Sequence, residues 1–200
     1  MKEILFVVLS PYADWEAAAL AAEINEEEDF CVKTVSISKE PIKSIGGFSV
    51  NPDYSLSEAL SREFAGLILI GGNSWRTEEA KQVAALVTLA VERSTVVAAI
   101  CDATVFLGAM GILNGIEHTS NKLESLQKFA GEAYSGESSY INQQSVRCGN
   151  IITANGTANL EFTRDVLIAL GIMSAEEAEE WYRFYKLGLH DAAKAGHPWC

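Results

Sequence analysis

Apolar positions along the chain follow two rhythms, and their order predicts most of the architecture. Ile4-Leu5-Phe6-Val7-Val8-Leu9 is apolar on both alternate sets, as a strand covered on both faces must be. Ser10-Pro11-Tyr12 breaks it, and a helical pattern runs from about Asp14 to Ile24, with Trp15, Ala18, Leu20 and Ala22 placed for packing. The acidic residues 26–29 end that helix on a solvated face. Cys31 to Ile37 alternates polar and apolar side chains and predicts a second strand. Residues 46–53 predict a turn and a short edge strand stopped by Pro52.

The second half repeats the alternation. Gly66 to Ile70 is a buried strand running into Gly71-Gly72, followed by a helix from about Thr77 to Glu92. Thr95 to Ile100 gives a third buried strand, and Asp102 to Met110 is helical before Gly111. From His118 to Ala154 shorter strands alternate with turns, with a hairpin turn at Gly149-Asn150. Ala158 to Leu170 is amphipathic and stops at Gly171. Ser174 with Glu177 forms a capping box before a last helix carrying Trp181, Phe184 and Tyr185, an aromatic stripe expected to pack. Buried strands alternating with helices predict an α/β domain with a mainly parallel sheet and helices on both faces. With no repeat, low-complexity tract or linker, residues 1–173 are expected to form the α/β domain, and residues 174–200 a helical extension packed on it.

Composition narrows the function. At 200 residues and 48% hydrophobic, the chain can bury roughly 70% of its unfolded surface without a metal or disulfide staple. Fifteen basic against 27 acidic residues leave a net charge of −12, which disfavours nucleic acid and anionic membranes as partners. No apolar run approaches the ~20 residues that cross a bilayer. The amino terminus runs straight into a strand, so no signal peptide is expected. Cys31, Cys101, Cys148 and Cys200 lack C-x-x-C spacing; neither a disulfide framework nor a metal site is expected, and a reducing cytoplasm is the default. No motif asks for a cofactor.

In open parallel sheets ligands gather beyond the carboxyl ends of the strands. Cys101 follows one buried strand directly and precedes a helix, the setting of a nucleophile elbow, where helix amides favour thiolate over thiol. A small buried cysteine capping a strand is the other reading of that position. Gly71-Gly72 allows close backbone approach, and the amides of Gly72 and Asp102 could form an oxyanion hole. Glu16, at the start of the first helix, could share a proton with Cys101, or be a solvated dipole complement.

Four blocks carry a resemblance: Asp14-Trp15-Glu16, Leu69-Ile70-Gly71-Gly72-Asn73, Ala98-Ala99-Ile100-Cys101 and Thr153-Ala154-Asn155-Gly156-Thr157-Ala158. With that order and spacing over roughly residues 3–171, the chain resembles the DJ/PfpI superfamily. The resemblance implies a flavodoxin-like three-layer sandwich, usually homodimeric, with Cys101 as the reactive cysteine and Glu16 as its carboxylic partner. It also implies Gly72 and Asp102 as oxyanion-hole amides, and Gly156-Thr157 in a loop beside the pocket. Asn73 is expected to line that pocket, and Trp75 could line it or shield the sheet edge. Protease-like members carry a histidine directly after the cysteine, where this chain has Asp102; in the segment where deglycase-like members keep one, this chain has Asn121. His118, three positions earlier, is expected to face away, and His190 and His197 lie in the extension.

Three functions fit these residues. Cys101 could attack a small aldehyde, an imine, an amide or an isonitrile, with Glu16 moving the proton. It could instead oxidise reversibly in a non-catalytic redox protein, or the pocket could bind without turnover. The acidic surface and small residues around the site favour a small neutral substrate.

Overall fold

A computed structural model describes residues 1–199; Cys200 lies outside them. The chain opens with β1 (Lys2–Val7), α1 (Asp14–Glu26) and β2 (Phe30–Ser36). A small hairpin of β3 (Ile42–Lys43) and β4 (Ser49–Val50) follows, then β5 (Tyr54–Ser55) and the single turn α2 (Leu56–Ala59). Next come β6 (Gly66–Leu69), α3 (Ala84–Glu92), β7 (Val96–Ile100), α4 (Ala103–Ala109) and α5 (Leu123–Ala130). The hairpin β8 (Ser145–Cys148) and β9 (Ile151–Ala154) leads into α6 (Asn159–Ala169), α7 (Ala175–Leu187) and α8 (Leu189–Lys194).

The main sheet runs β5-β2-β1-β6-β7-β9-β8, with every neighbouring pair parallel except β8 with β9. Strict alternation builds its two faces. Leu5, Val7, Leu67, Leu69, Val97 and Ala99 enter one core, with residues of α3, α4 and α5; Ile4, Phe6, Ile68, Ile70, Ala98 and Ile100 enter the other, with α1 and α6. The fold is thus a flavodoxin-like α/β sandwich. The chain leaves β1 toward β2 and returns on its other side as β6, so the topological switch point lies between β1 and β6, where such sheets bind ligands. Beyond α6, α7 adds a further layer through the buried Trp181 and Ala178. Its capping box is present: the Ser174 hydroxyl accepts from the Glu177 amide and the Glu177 carboxylate accepts from the Ser174 amide.

Three expectations need correction. The helix expected from Thr77 begins at Ala84; Thr77 holds the chain in a tighter 3-10 turn first, its hydroxyl donating to the Ser74 carbonyl and accepting from the Ala80 amide. The stretch from His118 to Ala154 contains a real helix, α5, whose Leu126 and Ala130 pack where Gly108 leaves room on α4. Only its end forms strands, joined by the expected turn with Gly149 at φ +60°. Trp15, expected to pack under α1, is 49% exposed.

Candidate active site

Cys101 sits one residue past β7 with φ +60°, a left-handed backbone that costs a non-glycine residue roughly 1–3 kcal/mol. The surroundings hold it there. Its amide donates to the Ala154 carbonyl at the end of β9, and its carbonyl accepts from the Thr104 hydroxyl on α4. The half-buried sulfur is thereby presented at the carboxyl edge of the sheet, beside the switch point.

Glu16 meets it from α1, and glycines make the meeting possible. Glu16 is 1% exposed; its Oε2 accepts from the Gly71 amide at 2.9 Å. Its Oε1 is buried with no partner of ordinary hydrogen-bond geometry, and the Cys101 thiol is the neighbour that acts on it. A Cβ on Gly71 would stand 2.3 Å from Oε2 and 2.5 Å from the Cys101 Cβ, so any side chain there would separate the pair. On the other side, a Cβ on Gly156 would stand 2.9 Å from Sγ and 3.1 Å from Oε1. Sulfur and free carboxyl oxygen therefore look into the same glycine-walled space.

The two groups titrate together. Burial pushes the Glu16 carboxyl up to about 7, the Asp102 charge adding to it, while the Gly71 amide and the Cys101 thiol oppose. Burial, and then the Glu16 charge, push the Cys101 thiol up to about 11, against the pull of the Asn121 side chain and the Asp102 amide. Helix amides alone would lower the thiol, as expected from the sequence; desolvation and two nearby carboxylates outweigh them. Between about 7 and about 11 the pair thus carries one negative charge, on the carboxylate, and one proton, on the thiol.

Asp102 is nearly buried, but its side chain turns away toward Arg76. Arg76 Nη2 donates to Oδ1 at 2.8 Å and Nε lies 2.7 Å from Oδ2, while the guanidinium stacks on the Phe129 ring at 4.1 Å. Asn121 closes the circle: its Nδ2 donates to Cys101 Sγ at 3.2 Å and approaches Asp102 Oδ1 at 3.4 Å, and its Oδ1 accepts from the Gly156 amide at 2.8 Å. An amide thus occupies the place beside sulfur where deglycase-like relatives were expected to carry a histidine.

Comparison with known proteins agrees. A profile of the DJ-1/PfpI family matches residues 2–169. The chain belongs to the DJ-1/PfpI family. Within that family, it is 38% identical over 200 residues to "Uncharacterized protease YdeA" of Bacillus subtilis, spanning 99% of this chain and 98% of the relative. Among solved structures, the DJ-1 superfamily protein Atu0886 of Agrobacterium tumefaciens aligns with TM-score 0.84 at 32% identity, over 98% of this chain and all of that one. A thiJ/pfpI family protein of Bacillus anthracis aligns with TM-score 0.85 at 35% identity, over 92% and 90%.

The remaining candidates of this DJ-1/PfpI chain separate cleanly. Gly72, at φ +144°, lets the strand-end loop pass within 2.4 Å of the Pro11 carbonyl for a virtual Cβ, a conformation open only to glycine. Asn73 is exposed at the start of the next turn, and Thr157 is exposed beside Gly156, bonded to Asn155. Trp75 does not line the pocket. It is 3% exposed in the core against Phe106, its indole N–H donating to the Ile70 carbonyl at 2.6 Å. The tryptophan at the rim is Trp15, whose indole N–H donates to the Gly156 carbonyl.

Among the described residues no histidine reaches the sulfur. His118 is fully buried elsewhere; a carbonyl cannot donate, so Nδ1–H donates to Ile116 O and Nε2 accepts from Tyr134. His197 packs between Phe184 and Trp199, and His190 is exposed. Beyond Asn121 a polar groove of about 580 Å³ opens, lined by Asn142, Gln143, Tyr140 and Tyr182 among others. Among the described residues no cluster of His, Cys, Asp and Glu could hold a metal ion, and no helix is long and apolar enough to cross a membrane. Arg76 is the residue sequence reasoning missed.

Proposed function

We propose that the protein is a cysteine-dependent enzyme acting on a small aldehyde. The observation that supports this most is the unpaired Oε1 of Glu16, buried, facing the same space as Cys101 Sγ, on a carboxyl held near 7. A general acid/base works best when its pKa lies near the working pH. The Cys101 proton passes to Glu16 as sulfur forms a C–S bond to the carbonyl carbon. Glu16 then returns the proton to the carbonyl oxygen, giving a hemithioacetal. The amides of Gly72 and Asp102 are assigned to that oxygen while it carries charge. The glycine walls leave room for a small reacting centre, and the groove beyond Asn121 takes whatever the substrate carries behind it.

The test is consumption of methylglyoxal by the purified protein, with an isonitrile as second probe. Cys101→Ser is expected to abolish turnover and Glu16→Gln to lower kcat/KM by roughly 100-fold or more. Undiminished turnover in either variant refutes the reading.

One observation favours a redox role as the second reading. Below about 7 Glu16 is protonated, and its otherwise unpaired oxygen faces sulfur, placed to hold an oxygen added there. Absence of turnover, with a gain of oxygen mass at Cys101 under mild peroxide, selects that reading. We also infer a homodimer from the family; sedimentation velocity should give twice the chain mass, and a monomer at micromolar concentration rejects it.

A further inference from the structure

The Asn121 carboxamide is held by two neighbours that cannot exchange roles. The Gly156 amide can only donate, and it donates to Oδ1. The Asp102 carboxylate, in its ion pair with Arg76, can only accept, and it faces Nδ2. With both ends specified, the amide group must turn its N–H donors toward Cys101 Sγ. We propose that Arg76 is a positioning residue: by fixing Asp102 Oδ1 opposite Nδ2, it orients Asn121 so that the carboxamide donates to the Cys101 sulfur. Asn121 transfers no proton; it stabilises negative charge on sulfur while Glu16 carries the proton. This rests on the reactivity proposed for Cys101, but it concerns the sulfur itself and not any one substrate.

Asp102 is 2% exposed, and the Arg76 Nη2 bond to its Oδ1 at 2.8 Å holds that oxygen where Asn121 Nδ2 meets it. Without that bond Oδ1 is free to turn from Nδ2, the carboxamide loses one of its two anchors, and sulfur loses its partner. Phe129, lying against the face of the guanidinium, holds Arg76 beside Asp102. The charged groups facing the sulfur are Glu16 from α1 and Asp102 from the start of α4, and Arg76 is the cation paired with the latter.

The test is the rate of Cys101 alkylation by iodoacetamide, in which sulfur forms the C–S bond and iodide leaves, measured across pH. Losing a specific stabilising neighbour moves such a thiol by a unit or more, so Arg76→Met is expected to slow alkylation at neutral pH by roughly tenfold. Arg76→Lys should recover part of the loss, since it keeps the charge but not the fork. Asn121→Leu, a volume-conserving change at an exposed position, should slow it as much. The double variant Arg76→Met/Asn121→Leu should be no slower than Asn121→Leu alone, because Arg76 acts through Asn121. Additive losses overturn the proposal, as does a wild-type profile in Asn121→Leu. A lower Tm for Arg76→Met with an unchanged profile reduces Arg76 to a structural role and equally overturns it. Alkylation needs no turnover, so these results stand apart from the aldehyde test.

Discussion

A methyl group at position 156 would stand 2.9 Å from Cys101 Sγ and 3.1 Å from Glu16 Oε1, inside the space where a substrate must reach sulfur. Gly156→Ala should therefore keep the fold but slow alkylation and turnover by tenfold or more, on the order of a 1 Å misplacement of reacting groups. Measured rates equal to wild type would show that the space is not the approach path. Glu16 makes a second prediction, in stability. Its folded value of about 7 lies above the ordinary 4.5, so the fold favours the protonated form; that contribution is complete below about 4.5 and is lost as pH rises through about 7. Glu16→Gln should accordingly match wild type in urea unfolding at low pH and exceed it by roughly 1–3 kcal/mol above about pH 8. A pH-independent difference contradicts this. Cys101 and Glu16 were legible in the sequence because each lies just past a readable buried strand, on the edge the topology assigns to ligands. Arg76 was not, because its reach to Asp102 depends on the 3-10 turn at Asn73–Arg76, which no periodicity announces. The same turn sends Trp75 inward, away from the pocket.

The helices were legible in proportion to their rhythm. Leu123, Leu126 and Ala130 share one face of α5 at helical spacing, but the surrounding Gly, Ser and Asn residues resembled a turn-rich strand region. The hairpin β8–β9, by contrast, carried its own turn residues. At the carboxyl end, the capping box of α7 is as read, and Ser174→Ala should lower stability by about 1 kcal/mol. Trp181, 1% exposed, ties α7 into the layer above α6. Trp181→Ala should cost roughly 3–5 kcal/mol of global stability in a single unfolding transition. A separate early transition for α7, with the rest of the protein unmoved, would show that the carboxyl-terminal helices fold apart.

For the whole molecule, the parallel sheet and its two apolar faces follow from uninterrupted runs such as Ile4–Leu9 and Val96–Ile100, whose alternate residues enter separate cores. The switch point then places three loops side by side: the start of α1, the turn after β6 and the elbow after β7. The site inherits its geometry from that crossing, which is why residues far apart in sequence converge on one sulfur. What the pattern could not convey is the electrostatic outcome. Burial depth decides it, and burial raises both partners where the helix dipole alone would have lowered the thiol. A Glu16 carboxyl held near 7 and coupled to Cys101 is the central feature of the site, and 13C NMR titration of the Glu16 side-chain carboxyl reads it directly. The carboxyl signal is expected to titrate near 7 in the wild-type protein and to shift when Cys101 is replaced by serine. A midpoint at the ordinary 4.5, indifferent to that substitution, would contradict it.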